Sequence, residues 1–114
     1  MTSNRVHRFL IALNLVFLSS VSASNADEPV DFARDIKPLL AENCFACHGM
    51  DAETRAADLR LDEREAAIDA GAIDPENADG SSLVERLYEE DPDLVMPPPE
   101  SGKKLSDEEK DLLK

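Results

Sequence analysis

Cys44-Phe45-Ala46-Cys47-His48 holds both cysteines of this 114-residue chain and one of its two histidines. Thiols three positions apart leave a helix from one turn, and an imidazole follows at once, a set that supports three chemistries. Structural zinc wants four thiolate or imidazole ligands. Beyond residue 26 the chain offers only these three, so a carboxylate or a partner chain would have to complete the site. A disulfide or thioredoxin-type pair suits exported thiols, but such motifs work at the strand-to-helix turn of a βαβ unit, and no strand pattern precedes this one. The third chemistry uses every residue of the set. The thiols of Cys44 and Cys47 add to the two vinyl groups of one porphyrin while the imidazole of His48 ligates its iron.

If a haem is carried, its second axial ligand follows by elimination. His7 lies in the N-terminal targeting segment described below, and Met50 is too close to His48 to reach the opposite face of the ring. Met96 remains, separated by enough chain to wrap the haem edge and followed by Pro97, Pro98 and Pro99. The competing reading, ordinary loop packing, does not use the sulfur. His48 and Met96 together would close both axial positions and raise the reduction potential relative to bis-histidine iron. That chemistry is one-electron transfer with no open coordination site and no catalytic residue.

The first 26 residues read as an export signal. Arg5 and Arg8 form the basic start, Phe9 to Leu18 an apolar run, and Val21-Ser22-Ala23 or Ser24-Asn25-Ala26 a small-residue cleavage site. The apolar run falls short of the ~20 residues of a membrane helix; an uncleaved anchor is the alternative. Covalent haem is attached outside the cytoplasm, so signal and motif agree on a periplasmic or otherwise exported protein. Residues 27–114 would form one domain with 10 basic against 25 acidic side chains, a net charge of −15. That balance excludes a nucleic-acid role, because nothing could neutralise phosphates. An acidic surface keeps an exported protein soluble or steers it to a basic patch on a partner.

The elements that must position these residues are short. Phe32, Ile36, Leu39 and Leu40 recur at helical spacing, with Pro38 either kinking a helix begun near Asp31 or sitting in the first turn of one capped by Asp35. Residues 49–81 predict loop with one or two helical turns, most helix-forming between Ala57 and Ala70. Ser82-Leu83-Val84-Glu85 resembles a capping box, opening a helix that faces Leu83, Leu87 and Tyr88 inward; Ser106-Asp107-Glu108-Glu109 is a second, ahead of Leu112 and Leu113. Between them the three prolines make a stiff extended strap. Alternation of period two is nowhere sustained, so the fold class is all-α. Only Phe32, Phe45 and Tyr88 are aromatic beyond residue 26, a thin core for a domain of this size, which predicts that a cofactor fills part of the middle.

These residues resemble a class I cytochrome c and, more narrowly, the planctomycete-type cytochrome c domain. The resemblance runs through Val30-Asp31-Phe32, Asp35 to Leu40, Cys44 to Gly49, Leu59 to Asp62 with Arg64 to Ala67, Ser82-Leu83 with Arg86-Leu87, and Met96 to Pro99. It implies a small haem domain of short helices and loops, one haem c per chain held by thioethers at Cys44 and Cys47, His48 as proximal ligand and Met96 as distal ligand. Arg55, Arg60, Arg64 and Arg86 are candidates for pairing with the haem propionates, each with an ordinary surface ion pair as the simpler reading. The departure is at the end: the family's last helix normally continues beyond the point matched by Lys114 and packs on the first, so a weakened fold and an opened haem edge are expected. The partners implied are redox donor and acceptor proteins, or downstream domains if the chain is the haem-bearing N-terminal part of a larger exported enzyme with no activity of its own.

Overall fold

The computed structural model describes residues 28–114; the predicted export signal, residues 1–26, lies outside them. Asp31 opens the first helical stretch, its carboxylate accepting the Arg34 backbone N–H at 2.8 Å. A π-helical turn, Phe32–Ile36, follows, closed by the Lys37 N–H donating to the Phe32 carbonyl, and then α1, Lys37–Asn43. Pro38 accounts for the change of register. It has no N–H, and its ring crowds the carbonyl four residues earlier, so the turn ahead of it widens. Of the two sequence readings the helix begun near Asp31 is the one found. Asp35 does not cap α1; its carboxylate accepts from the Asp31 N–H and the Arg34 guanidinium instead.

Cys44 joins α1 to α2, Phe45–His48. A single 3₁₀ turn at Ala56–Asp58 leads to α3, Arg64–Asp69. The end of α3 is held by a left-handed Gly71 (φ 70°): the Gly71 N–H donates to the Ile68 carbonyl at 2.9 Å and the Ala72 N–H to the Ala67 carbonyl at 2.9 Å. That is the double bond of a Schellman motif, for which a residue with a side chain would be strained. The motif seats Ala72 against Ala67, both buried.

A second 3₁₀ turn, Ala78–Gly80, precedes α4, Ser82–Leu87. Here the expected capping box is absent. The N-cap is Ser81, one residue earlier, and it makes no side-chain cap bond; its buried hydroxyl accepts the Asp74 N–H at 2.8 Å, tying α4 to the preceding loop. Val84 and Leu87 point into the core. Tyr88 does not, being 44% exposed; its phenol donates to the Asp111 carboxylate at 2.5 Å. The capping box at Ser106 is present in full, the Glu109 N–H donating to the Ser106 hydroxyl and the Ser106 N–H to the Glu109 carboxylate. It opens α5, Asp107–Leu113.

Among the described residues there is no strand, and the fold is all-α. Helix α5 lies against α4 and against the π-helical turn, so the last and first helical elements are in contact. The core consists of Leu40, Leu61, Ala67, Ala72, Val84, Leu87 and Leu105, and no large side chain within it is completely enclosed. A domain with so little interior of its own leaves room for a cofactor to supply the rest.

Candidate haem site

The CxxCH turn is fixed from both ends. Its first residue, Cys44, donates its N–H to the Leu40 carbonyl at 2.8 Å, and its own carbonyl accepts the N–H groups of Cys47 at 3.1 Å and His48 at 2.8 Å. Further on, the Leu61 N–H donates to the His48 carbonyl at 2.8 Å. Gly49 is buried against the turn, where a Cβ would run into the Phe45 carbonyl, so no other residue fits without moving main chain. Arg55 completes the clamp: its guanidinium donates to the carbonyls of Gly49 and Met50, both at 2.9 Å. Cys44 and Phe45 pack against Leu61, Ala67 and Ala72, which anchors the turn to the core.

On this frame the two thiols differ. Cys47 is exposed and Cys44 half-buried, and neither is in a disulfide. Burial first, and the neighbouring Cys47 second, push the Cys44 thiol up to about 11, with the positive charge of Lys103 pulling the other way. Cys44 is therefore a neutral thiol at physiological pH. His48 is half-buried. Its Nδ1 is enclosed and without a hydrogen-bond partner, and no described residue hydrogen-bonds to either ring nitrogen. A buried polar atom normally finds a partner within the protein; the enclosed Nδ1 has no room for a metal, which leaves Nε2, free of any hydrogen bond among the described residues, as the nitrogen that could meet a porphyrin iron. Among the described residues no three Cys, His, Asp or Glu side chains converge to hold a metal ion by themselves. A metal here would be brought by the porphyrin.

Met96 comes from a separate segment. Its N–H donates to the Arg86 carbonyl at 2.9 Å, while the Arg86 guanidinium donates to the Leu94 carbonyl at 3.0 Å, so both bonds tie the strap to α4. Half-buried, Met96 lines an open cleft of about 380 Å³ with Leu87, Pro97, Lys103, Lys104 and Leu105. Neither the two cysteines nor His48 is among its lining residues. The structure thus brings Cys44, Cys47 and His48 onto one turn and sets Met96 in the wall of a neighbouring cleft, with the Lys103 charge felt at Cys44. Met50, rejected as a ligand, is 80% exposed.

The four arginines considered for the propionates are otherwise engaged. Arg55 holds the two carbonyls and Asp58, Arg60 forks onto Asp62 at 2.6 and 3.1 Å and reaches Glu63, Arg64 pairs with Glu65, and Arg86 holds the strap. Sequence reasoning missed the clamp by Arg55, which no local pattern announces, since an arginine on the chain's return reveals nothing about which carbonyls it will meet.

Short helices around a CxxCH turn, with an uncommitted histidine and a methionine on a proline strap, define a small haem domain of the class I cytochrome c type. The narrower assignment comes from comparison with protein families: residues 44–100, half of the chain, match the family described as Planctomycete cytochrome C, and the chain belongs to it. No curated protein and no solved structure matches the chain. Family membership makes it a cytochrome c domain, a module of the haem-carrying, electron-transfer kind.

Proposed function

We propose that the chain is exported and carries one haem c, joined to Cys44 and Cys47 and ligated by His48 and Met96, and that it transfers single electrons between redox proteins. The observation that carries this is the state of the CxxCH turn: two free thiols and an imidazole with no protein partner, on a segment whose main chain is clamped at both ends. Such rigidity keeps reorganisation small when the charge at a bound group changes. The haem, when bound, supplies the one-electron chemistry. The chain's residues hold and tune it. Cys44 and Cys47 fix its position, His48 offers a ring nitrogen that competes with no internal hydrogen bond, and the prolines after Met96 restrict where the thioether can lie. With both axial positions taken, small ligands are excluded. Cofactor attachment outside the cytoplasm and the predicted signal both support export.

Carbon monoxide binding to the reduced, haem-loaded protein tests the ligation. The unmodified chain is expected not to bind it, and Met96→Ala to bind it and to have a lower reduction potential, because methionine favours the reduced iron. Equal binding by both proteins would remove Met96 from the iron and with it the closed electron-transfer site.

A further inference from the structure

A haem held at Cys44 and Cys47 brings two propionate carboxylates into a chain that already carries a large excess of acids. Further negative charge there is favoured beside a cation that is not already committed. The described residues contain ten basic side chains apart from His48. All five arginines are hydrogen-bonded to protein carboxylates or carbonyls, Arg34 to Glu28 and Asp35 and the other four as given above. Lys114 is paired with Asp79 at 2.5 Å, and Lys110 lies 3.8 Å from Asp107 and over the Tyr88 ring. Lys37, Lys103 and Lys104 form no ion pair among the described residues. Lys37 borders a second open cleft, of about 510 Å³, with Phe45, Ala46 and Gly49 of the CxxCH turn; Asp51 and Asp62 line it too, so its wall already holds protein acids. Lys103 and Lys104, both exposed, border the Met96 cleft.

We propose that Lys103 and Lys104 clamp the haem propionates at the mouth of the Met96 cleft. The inference rests on the haem reading above and names the residues that neutralise the cofactor. Two observations converge on it. These are the only two uncommitted cations on that cleft, whose wall carries Met96, the distal ligand of the haem reading; and the remaining lining is apolar apart from Lys110, so no protein acid lines the cleft with them. The left-handed Gly102 (φ 70°), directly before the pair, turns the chain out of the strap and delivers both side chains to one rim. A lysine suits the task, since its ammonium is a point charge on a flexible stem that needs no fixed approach angle. Of α5, Lys110 lines the cleft and lies 3.8 Å from Asp107, while Asp111 accepts from the Tyr88 phenol; α4 presents Leu87, and the strap presents Met96 and prolines.

The test uses the full chain matured with haem, unmodified and as Lys103→Gln with Lys104→Gln. The readout is the acid titration of the propionates in the oxidised protein, followed by the pH-dependent shift of haem-substituent NMR resonances. Removal of both charges is expected to raise the titration midpoint by about one pH unit or more. Lys103→Arg with Lys104→Arg keeps the charges and is expected to titrate like the unmodified protein, and so is Lys37→Gln. A double glutamine variant that carries haem yet titrates like the unmodified protein overturns the clamp and leaves the haem reading standing; this holds even if such a variant binds acidic partner proteins less well. Failure of the unmodified chain to acquire covalent haem overturns both.

Discussion

On the His48 side of the site, main-chain hydrogen bonds run from Leu40 to Leu61 and Arg55 staples the carbonyls between them, whereas the Met96 side is tied to α4 at a single residue, Arg86. Both sides are stiff, for different reasons. The first is stiff because several hydrogen bonds, within the turn and from Arg55 and Leu61 on the returning chain, support one another. The second owes its stiffness to Pro97, Pro98 and Pro99, which restrict the chain without attaching it to anything. A wall of the first kind presents ligands at fixed positions, and a wall of the second kind can settle against what it meets. The pairing suits a cofactor that is anchored covalently on one side and closed over from the other.

That contrast can be broken most forcefully at Gly49. Gly49→Ala drives a methyl group into the Phe45 carbonyl and should cost about 1–3 kcal/mol, the usual penalty of forcing an atom into main chain that cannot yield. Thermal unfolding of the haem-loaded protein measures it. On the other side, Ser106→Ala removes the bond to the Glu109 N–H and loosens α5, which carries Lys110 to the cleft. A lost N-cap of this kind costs about 1 kcal/mol, so the same measurement should rank it below Gly49→Ala. A reversed order would mean that the Met96 side, not the CxxCH turn, is the more tightly built.

The smallest effect is one of pH. The Arg34 guanidinium, with help from the Asp31 N–H, holds the Asp35 carboxyl down at about 2, below its ordinary value of 3.8. The ionised form is thus favoured by folding. Its contribution is complete above about pH 4 and is lost as the pH falls through about 2. Asp35 sits in the π-helical turn that α5 leans on. Arg34→Gln should therefore move the midpoint of acid unfolding slightly upward in pH, as followed by circular dichroism. The pair is at the surface, so a large shift would contradict its placement.

The legible parts of this fold were the local ones. The CxxCH turn, the capping box at Ser106 and the helix through Leu40 each depend on residues within a turn of one another, and each formed where its pattern lay. Ser82 misled because the register of α4 was decided elsewhere: Ser81 was drawn inward by the Asp74 N–H, a partner seven residues away. Gly71 carries a readable signal of its own, a glycine at the end of a helix-forming stretch. Tyr88 was expected inside on the helix face shared with Leu83 and Leu87, but its phenol keeps its hydroxyl on Asp111 at the surface. For the site, Cys44, Cys47 and His48 were visible together because spacing alone makes them a set, and Met96 was visible only by elimination. Arg55 was visible only as a candidate for a propionate, not as the clamp on the Gly49 and Met50 carbonyls, and the two lysines at the cleft were not visible at all. Their roles depend on which other charges are already paired, and pairing is a property of the folded surface.

The central claim is that Cys44 and Cys47 hold a haem. Its most direct test is the intact mass of the chain recovered from a host that matures c-type cytochromes, with thiol alkylation alongside. A haem held by both thioethers gives the mass of the processed polypeptide plus one haem, with no alkylation at Cys44 or Cys47. A mass without haem and short by two hydrogens would make the pair a disulfide, and the electron-transfer account would fall with it.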